Sequence, residues 1–169
     1  MAALPELGAP APIAEPLGEV RGPALVAFLR HVGCPFAEAT MNSLSAAATL
    51  HPEIDWVAVS HAALGPTDHW CSAIGASHLV RLVIDEERSA YGGWGLGLTG
   101  LRHFAGGRSL SAVADLARKG IRNRHPVGTR WQGAGTFAVD ADGDVVWRHV
   151  PKYAGSLPDL NDAAVAALR

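Results

Sequence analysis

The chain has 169 residues, of which 49% are apolar and 18% charged, and its formal net charge is -2. That length suits one domain with a real core, and the composition excludes disorder. Near-balanced charge offers no basic face for nucleic acid, and no stretch approaches the ~20 apolar residues of a membrane span.

Residues 1–16 hold Pro5, Pro10, Pro12 and Pro16 with Glu6 and Glu15, and lack the basic start and apolar run of a signal peptide. They read as an extended arm ahead of a domain over 17–169. The unbroken apolar run 24–29 predicts a strand buried on both faces, as in the parallel part of a sheet. Arg30-His31-Val32-Gly33-Cys34-Pro35 follows at once. Ala37, Met41, Leu44 and Ala48 then share one helix face, and Pro52 closes that helix.

Residues 54–59 predict a second strand, ending at Ser60-His61. A polar turn, Gly65-Pro66-Thr67-Asp68, leads into a helix with Trp70 and Cys71. Residues 79–84 predict a third strand, and Asp85-Glu86-Glu87-Arg88 opens a short helix to Tyr91. Residues 92–130 read as an insertion: a glycine-rich loop, then an amphipathic helix with Leu110, Val113, Leu116 and Ala117, capped by Ser109 or Ser111 and stopped by Gly120. Residues 136–139 and 145–150 flank Asp140-Ala141-Asp142-Gly143, a hairpin turn. Ser156-Leu157-Pro158-Asp159 opens a terminal helix with Leu160, Ala164 and Leu168 on its inner side. This alternation predicts an α/β domain with parallel pairings.

Cys34 is the sharpest chemical feature. At a strand-to-helix elbow, with Pro35 in the first helical position, it faces unpaired backbone N–H groups and the positive end of the helix dipole. Both favour a thiolate, so its pKa is expected below the ~8.5 of a free cysteine. Arg30 and His31 add positive charge, and Glu38, one turn in, works weakly against it. The competing reading is a buried, inert cysteine.

Cys34 and Cys71 are the only cysteines. Two cannot form a disulfide framework, so they read as thiols in a reducing compartment, by default the cytoplasm. Cys71 is either a resolving thiol or a packed helix residue. His31, Cys34, His61, His69 and Cys71 could gather near strand ends as zinc or copper ligands, but His69 and Cys71, two apart on a helix, point in different directions. No metal is assigned, and no cofactor; a Cys-Pro thiolate could ligate haem, with nothing else to support it. Gly95-Leu96-Gly97-Leu98-Thr99-Gly100 fits the dinucleotide pattern but follows a helix rather than a strand, and reads as a flexible loop.

Phe28-Leu29-Arg30-His31, Gly33-Cys34-Pro35, Val59-Ser60-His61 and His69-Trp70 together resemble the peroxiredoxin-like proteins of the alkyl hydroperoxide reductase/thiol-specific antioxidant family. Ile84 to Arg88 with Tyr91-Gly92 and Trp94-Gly95, and Gln132 with Gly135-Thr136-Phe137, Val139-Asp140 and Asp142-Gly143, are similar to that family's later units. The resemblance spans roughly residues 17–168. It implies a thioredoxin-like, peroxiredoxin-like α/β fold, a central mixed sheet flanked by helices, with Cys34 as catalytic thiol and His31 and Arg30 assisting it. The implied substrate pocket is lined by Pro35, His61, Trp94, Trp131 and Gln132.

Two departures stand out. Many relatives carry Cys-Pro-x-Cys, and here Ala37 fills the last position. Where typical relatives place a peroxide-orienting Thr before the cysteine, and a Pro before that, this chain has His31 and Ala27. The function expected is a thiol oxidoreductase in which Cys34 reduces a peroxide or organic endoperoxide, with an external thiol or thioredoxin-like protein as reductant. The alternatives are a binding or scaffold domain without turnover and a tailoring enzyme of a biosynthetic pathway. A homodimer is left open.

Overall fold

The computed structural model describes residues 2–100 and 107–169. Part of the predicted glycine-rich loop, 101–106, and the side chains of Ser109 and Leu110 lie outside the described residues. In chain order the elements are β1 (Ala9–Pro10), β2 (Ala24–Phe28), α1 (Pro35–Leu50), β3 (Asp55–Ser60), α2 (Leu64–Ile74), β4 (Val80–Ile84), α3 (Ser89–Gly93), α4 (Gly107–Arg118), β5 (Gly135–Val139), β6 (Asp144–His149) and α5 (Leu160–Ala167).

The strands form one mixed sheet in the order β1-β6-β5-β2-β3-β4. β2, β3 and β4 run parallel, whereas β5 is antiparallel to β2, β6 to β5 and β1 to β6. Every residue of β2 is buried, because successive side chains enter two different cores. Leu25 and Ala27 join Trp56, Ala58 and Ala138 beneath α1 and α5, against Met41, Leu44, Leu160 and Ala163. Ala24, Val26 and Phe28 join Val57, Val59, Phe137 and Val139 on the opposite face, against Tyr91 and Trp94. Each large side chain so buried contributes about 1.5–3 kcal/mol, which is what holds the end of β2 in place.

Several boundaries differ from the sequence reading. α2 starts at Leu64, so Gly65 to Asp68 are helical, and the Thr67 hydroxyl bonds back to the Ala63 carbonyl at 2.9 Å. α3 starts at Ser89 because the buried Asp85 carboxylate accepts the N–H groups of Ser89 (2.9 Å) and Tyr91 (3.1 Å). α4 starts at Gly107, which puts Ser109 and Ser111 inside the helix instead of at its cap. Leu168 lies past α5 and is exposed, while Ala163 and Ala167 take the inner side. Residues ahead of β2 pair with the sheet: the Gly8 and Ala11 N–H groups donate to the carbonyls of Val145 and Gly143, and Leu17 and Val20 are buried.

α4 and the residues after it pack against α1. Leu116 enters the core under α1, with Ala112, Ile121 and Val127 packed at its margin. None of the described helices is long and apolar enough to cross a membrane.

Candidate active site

Parallel β2 and β3 end side by side, and the Tyr91 hydroxyl spans the two ends, reaching the carbonyls of Leu29 (2.5 Å) and Val59 (2.9 Å). From that fixed point the chain runs through Arg30 and His31 to Cys34, the N-cap of α1, with Pro35 at the first helical position. The turn closes by a bond from the Cys34 N–H to the His31 carbonyl at 3.2 Å.

A strap formed by residues 121–130 lies across this turn. The Arg124 N–H donates to the Gly33 carbonyl (3.0 Å) and the Val127 N–H to the Val32 carbonyl (3.1 Å). The contact is so close that Gly33, at φ +86°, could not carry a side chain: a Cβ there would sit 2.4 Å from the His125 oxygen. The Arg124 Nε also donates to the Glu38 carboxylate at 3.1 Å, an ion pair in which Glu38 is buried. Glu38 thus spends its charge on the strap.

Cys34 is 4% exposed. Burial pushes its thiol up; the Ala37 amide, the Arg30 charge and the Phe36 amide all favour the thiolate but do not overcome that penalty. This corrects the expectation of a lowered pKa, because a helix terminus helps a thiolate only as far as the site lets solvent or charge complete the solvation. Arg30 is also buried, which weakens its hold on the proton, with Cys34 acting in the other direction; a guanidinium nonetheless stays charged.

His31 is held down chiefly by burial, with the Arg30 and Arg130 charges adding to it and the Val32 carbonyl resisting. Its Nδ1 lies 3.0 Å from that carbonyl, which only accepts. The proton therefore sits on Nδ1, and Nε2 presents a lone pair. Arg30, His31, Cys34 and Pro35 line one cavity of about 210 Å³, together with Phe36, Val113, Asn123, Pro126 and Arg130. A buried thiol, a neutral imidazole with a free lone pair, and guanidinium charge on one cavity are the parts of a nucleophilic or redox cysteine site.

The sequence profile described as AhpC/TSA antioxidant enzyme matches residues 41–152. The chain belongs to the AhpC/TSA antioxidant enzyme family. The match begins beyond Cys34, so membership does not rest on the cysteine. Among solved structures, the peroxiredoxin-like protein from Aquifex aeolicus is similar at a TM-score of 0.65 and 11% identity, over 97% of this chain and 86% of that one. Peroxiredoxin 6 of Arenicola marina is similar at 0.61 and 9%, over 97% and 71%. Peroxiredoxin Q of Xanthomonas campestris is similar at 0.54 and 12%, over 84% and 73%. At these identities the likeness is one of fold: the thioredoxin-like, peroxiredoxin-like mixed sheet flanked by helices. No curated protein sequence gives a significant match.

In this AhpC/TSA chain the other residues assigned to the pocket scatter. His61 is not among the residues lining that cavity; it lies edge-on to Tyr91 at 5.6 Å, with Gly128 of the strap against it. Neither of its ring nitrogens makes a well-formed hydrogen bond. Burial lowers its pKa to about 4; the Thr129 backbone and Asp85 support the proton only in part, and nearby His31 and Arg88 disfavour it. Trp94 is fully buried, packed on Phe28 and Phe137, and is core rather than pocket lining. Gln132 is buried too, its amide donating to the carbonyls of Leu96, Gly97 and Gly133, so it ties the 95–100 loop to the start of β5. Trp131 is 42% exposed beside that loop, and its carbonyl accepts from Thr99. These three segments do lead to sheet ends, but their side chains turn into the core, to backbone or to solvent.

Cys71, on α2, is half-buried against the core, and burial and the Asp68 charge push its thiol up. Among the described residues no three His, Cys, Asp or Glu side chains gather as a metal site. Sequence reasoning missed Asn123, Pro126 and Arg130, and the strap as a whole. One signal was present: from Leu116 to Val139 there is no acidic residue, but Arg118, Lys119, Arg122, Arg124 and Arg130.

Proposed function

We propose that this AhpC/TSA chain is a one-cysteine thiol peroxidase. The observation that carries the reading is Cys34 at the N-terminus of α1, on a cavity shared with His31 and Arg30. In the reaction, His31 Nε2 takes the thiol proton as the Cys34 sulfur attacks the distal oxygen of a hydroperoxide. An S–O bond forms and the O–O bond breaks, its electron pair leaving on the alkoxide, which collects the proton and departs as the alcohol. Sulfur is oxidised by two electrons to the sulfenic acid, and the peroxide is reduced by two. The amides of Ala37 and Phe36 and the Arg30 charge stabilise the sulfur anion as it forms.

Because burial holds the thiol up and His31 down, little thiolate exists before substrate arrives, and His31 works during the attack. Two low-molecular-weight thiols then restore Cys34, the first by a mixed disulfide with loss of water, the second by releasing the disulfide. A reducing compartment such as the cytoplasm supplies them. Ala37 removes the local partner, and Cys71 belongs to a separate helix.

The raised thiol also favours a second reading, a binding domain on the same fold without turnover. The two separate in one assay, hydroperoxide consumption with a small thiol as reductant. Turnover that disappears in Cys34→Ser and survives in Cys71→Ser supports the peroxidase. Turnover that persists in Cys34→Ser overturns it, and a wild-type chain that consumes nothing leaves the binding domain.

A further inference from the structure

We infer that the substrate of this site is an organic hydroperoxide that carries a carboxylate, held by Arg130 and Asn123 of the strap. The inference rests on the peroxidase reading, and it deepens it by naming the substrate class.

The first argument is size. One water needs about 10–15 Å³ of such space, and the cavity at Cys34 offers about 210 Å³. Hydrogen peroxide, scarcely larger than water, would leave most of it unfilled. The second is the character of the wall. Pro35, Phe36, Val113 and Pro126 give it an apolar side that suits a hydrocarbon body.

The third is charge. Among the described residues, the guanidiniums of Arg30 and Arg130 line the cavity and no carboxylate does. The acid on α1, Glu38, is bonded to Arg124 rather than to Arg130. The strap that forms the outer wall comes from the acid-free, Arg-rich stretch that precedes β5. Arg30 is buried next to Cys34, where its charge serves the sulfur. Arg130 and Asn123 are both exposed and line the cavity from the same strap, where a planar guanidinium and an amide can take a carboxylate from the entering substrate. A cleft lined by one sign of charge also concentrates anions near its mouth.

The test separates this inference from the reading it rests on. Cys34 in the full chain is alkylated with iodoacetate and with iodoacetamide, which differ in charge, and Cys71 in the same molecule is the reference. The expected iodoacetate-to-iodoacetamide rate ratio is about fivefold or more higher at Cys34 than at Cys71. It should fall toward the Cys71 value in roughly 0.5 M salt, where screening lengths drop to a few ångströms, and in Arg130→Gln, but hold in Arg130→Lys. In parallel, kcat/KM is compared for a carboxylate-bearing alkyl hydroperoxide and its methyl ester. The acid is expected to win in the wild type, and Arg130→Gln to bring the acid-to-ester ratio of kcat/KM toward one. Equal ratios at the two cysteines with equal rates for acid and ester overturn anion selection and leave peroxide reduction standing. A high ratio at Cys34 in a chain that reduces neither hydroperoxide removes the peroxidase reading and leaves an anion-selective cavity.

Discussion

Replacing His61 by Leu should flatten the loss of stability on the acid side. The ring is buried between Tyr91 and the strap at Gly128, and its pKa falls to about 4. A group depressed in the folded state adds stability above its unfolded pKa, here ~6.5, and that stability drains as pH falls toward the folded value. At roughly 1.4 kcal/mol per pH decade, the gap amounts to about 3 kcal/mol between pH 7 and 4. Loosening of the strap, by letting water reach the ring, would trim this to about 2 kcal/mol. Leu lacks the titrating group and has a similar volume, so whatever it costs at pH 7, its curve should fall more slowly. Urea denaturation of both proteins at several pH values between 7 and 4 reads the difference directly, since the carboxylates common to both cancel. Parallel curves would refute the reasoning, and would mean that the folded protein already hydrates or protonates His61.

Alkylation of Cys34 by a neutral reagent should rise about tenfold per pH unit through neutrality and show no plateau below about pH 8, as a thiol raised by burial requires; a plateau near pH 7 would restore the lowered pKa that its helix position alone suggests. His31→Ala should lower kcat/KM by about a hundredfold, as loss of a general base does, with a smaller effect on melting temperature; full activity in an unstable protein would make His31 structural. Arg124→Ala should destabilise more than Glu38→Ala, by about 2 kcal/mol, because it strands a buried carboxylate whereas the half-exposed guanidinium can rehydrate. Denaturation midpoints of the two variants decide that order.

The elements that position Cys34 were legible because their signals are local. The run at β2 is apolar at every position, and the four-three-four spacing of Ala37, Met41, Leu44 and Ala48 defines the buried face of α1. Pro35 after Cys34 marks the helix start in the same way. The direction of a side chain at a sheet end is not local. Trp94 and Gln132 lie on segments that lead to the site, yet packing on Phe28 and Phe137 takes one and the carbonyls of the 96–97 backbone take the other. The strap was hidden for the same reason: Gly33 meets His125 across a long stretch of chain, and nothing near either residue announces the contact. The direction of the Cys34 pKa follows from its burial, which is likewise not local, so an argument from its helix position alone points the other way.

The central claim is that peroxide oxygen is transferred to Cys34. After brief exposure of the full chain to one equivalent of an organic hydroperoxide in the presence of a sulfenic-acid trap, peptide masses report which sulfur was oxidised. The trap adduct is predicted on the Cys34 peptide, in step with peroxide consumed, with Cys71 unmodified. Peroxide consumed while Cys34 keeps the mass of a free thiol, or an adduct confined to Cys71, would contradict the account.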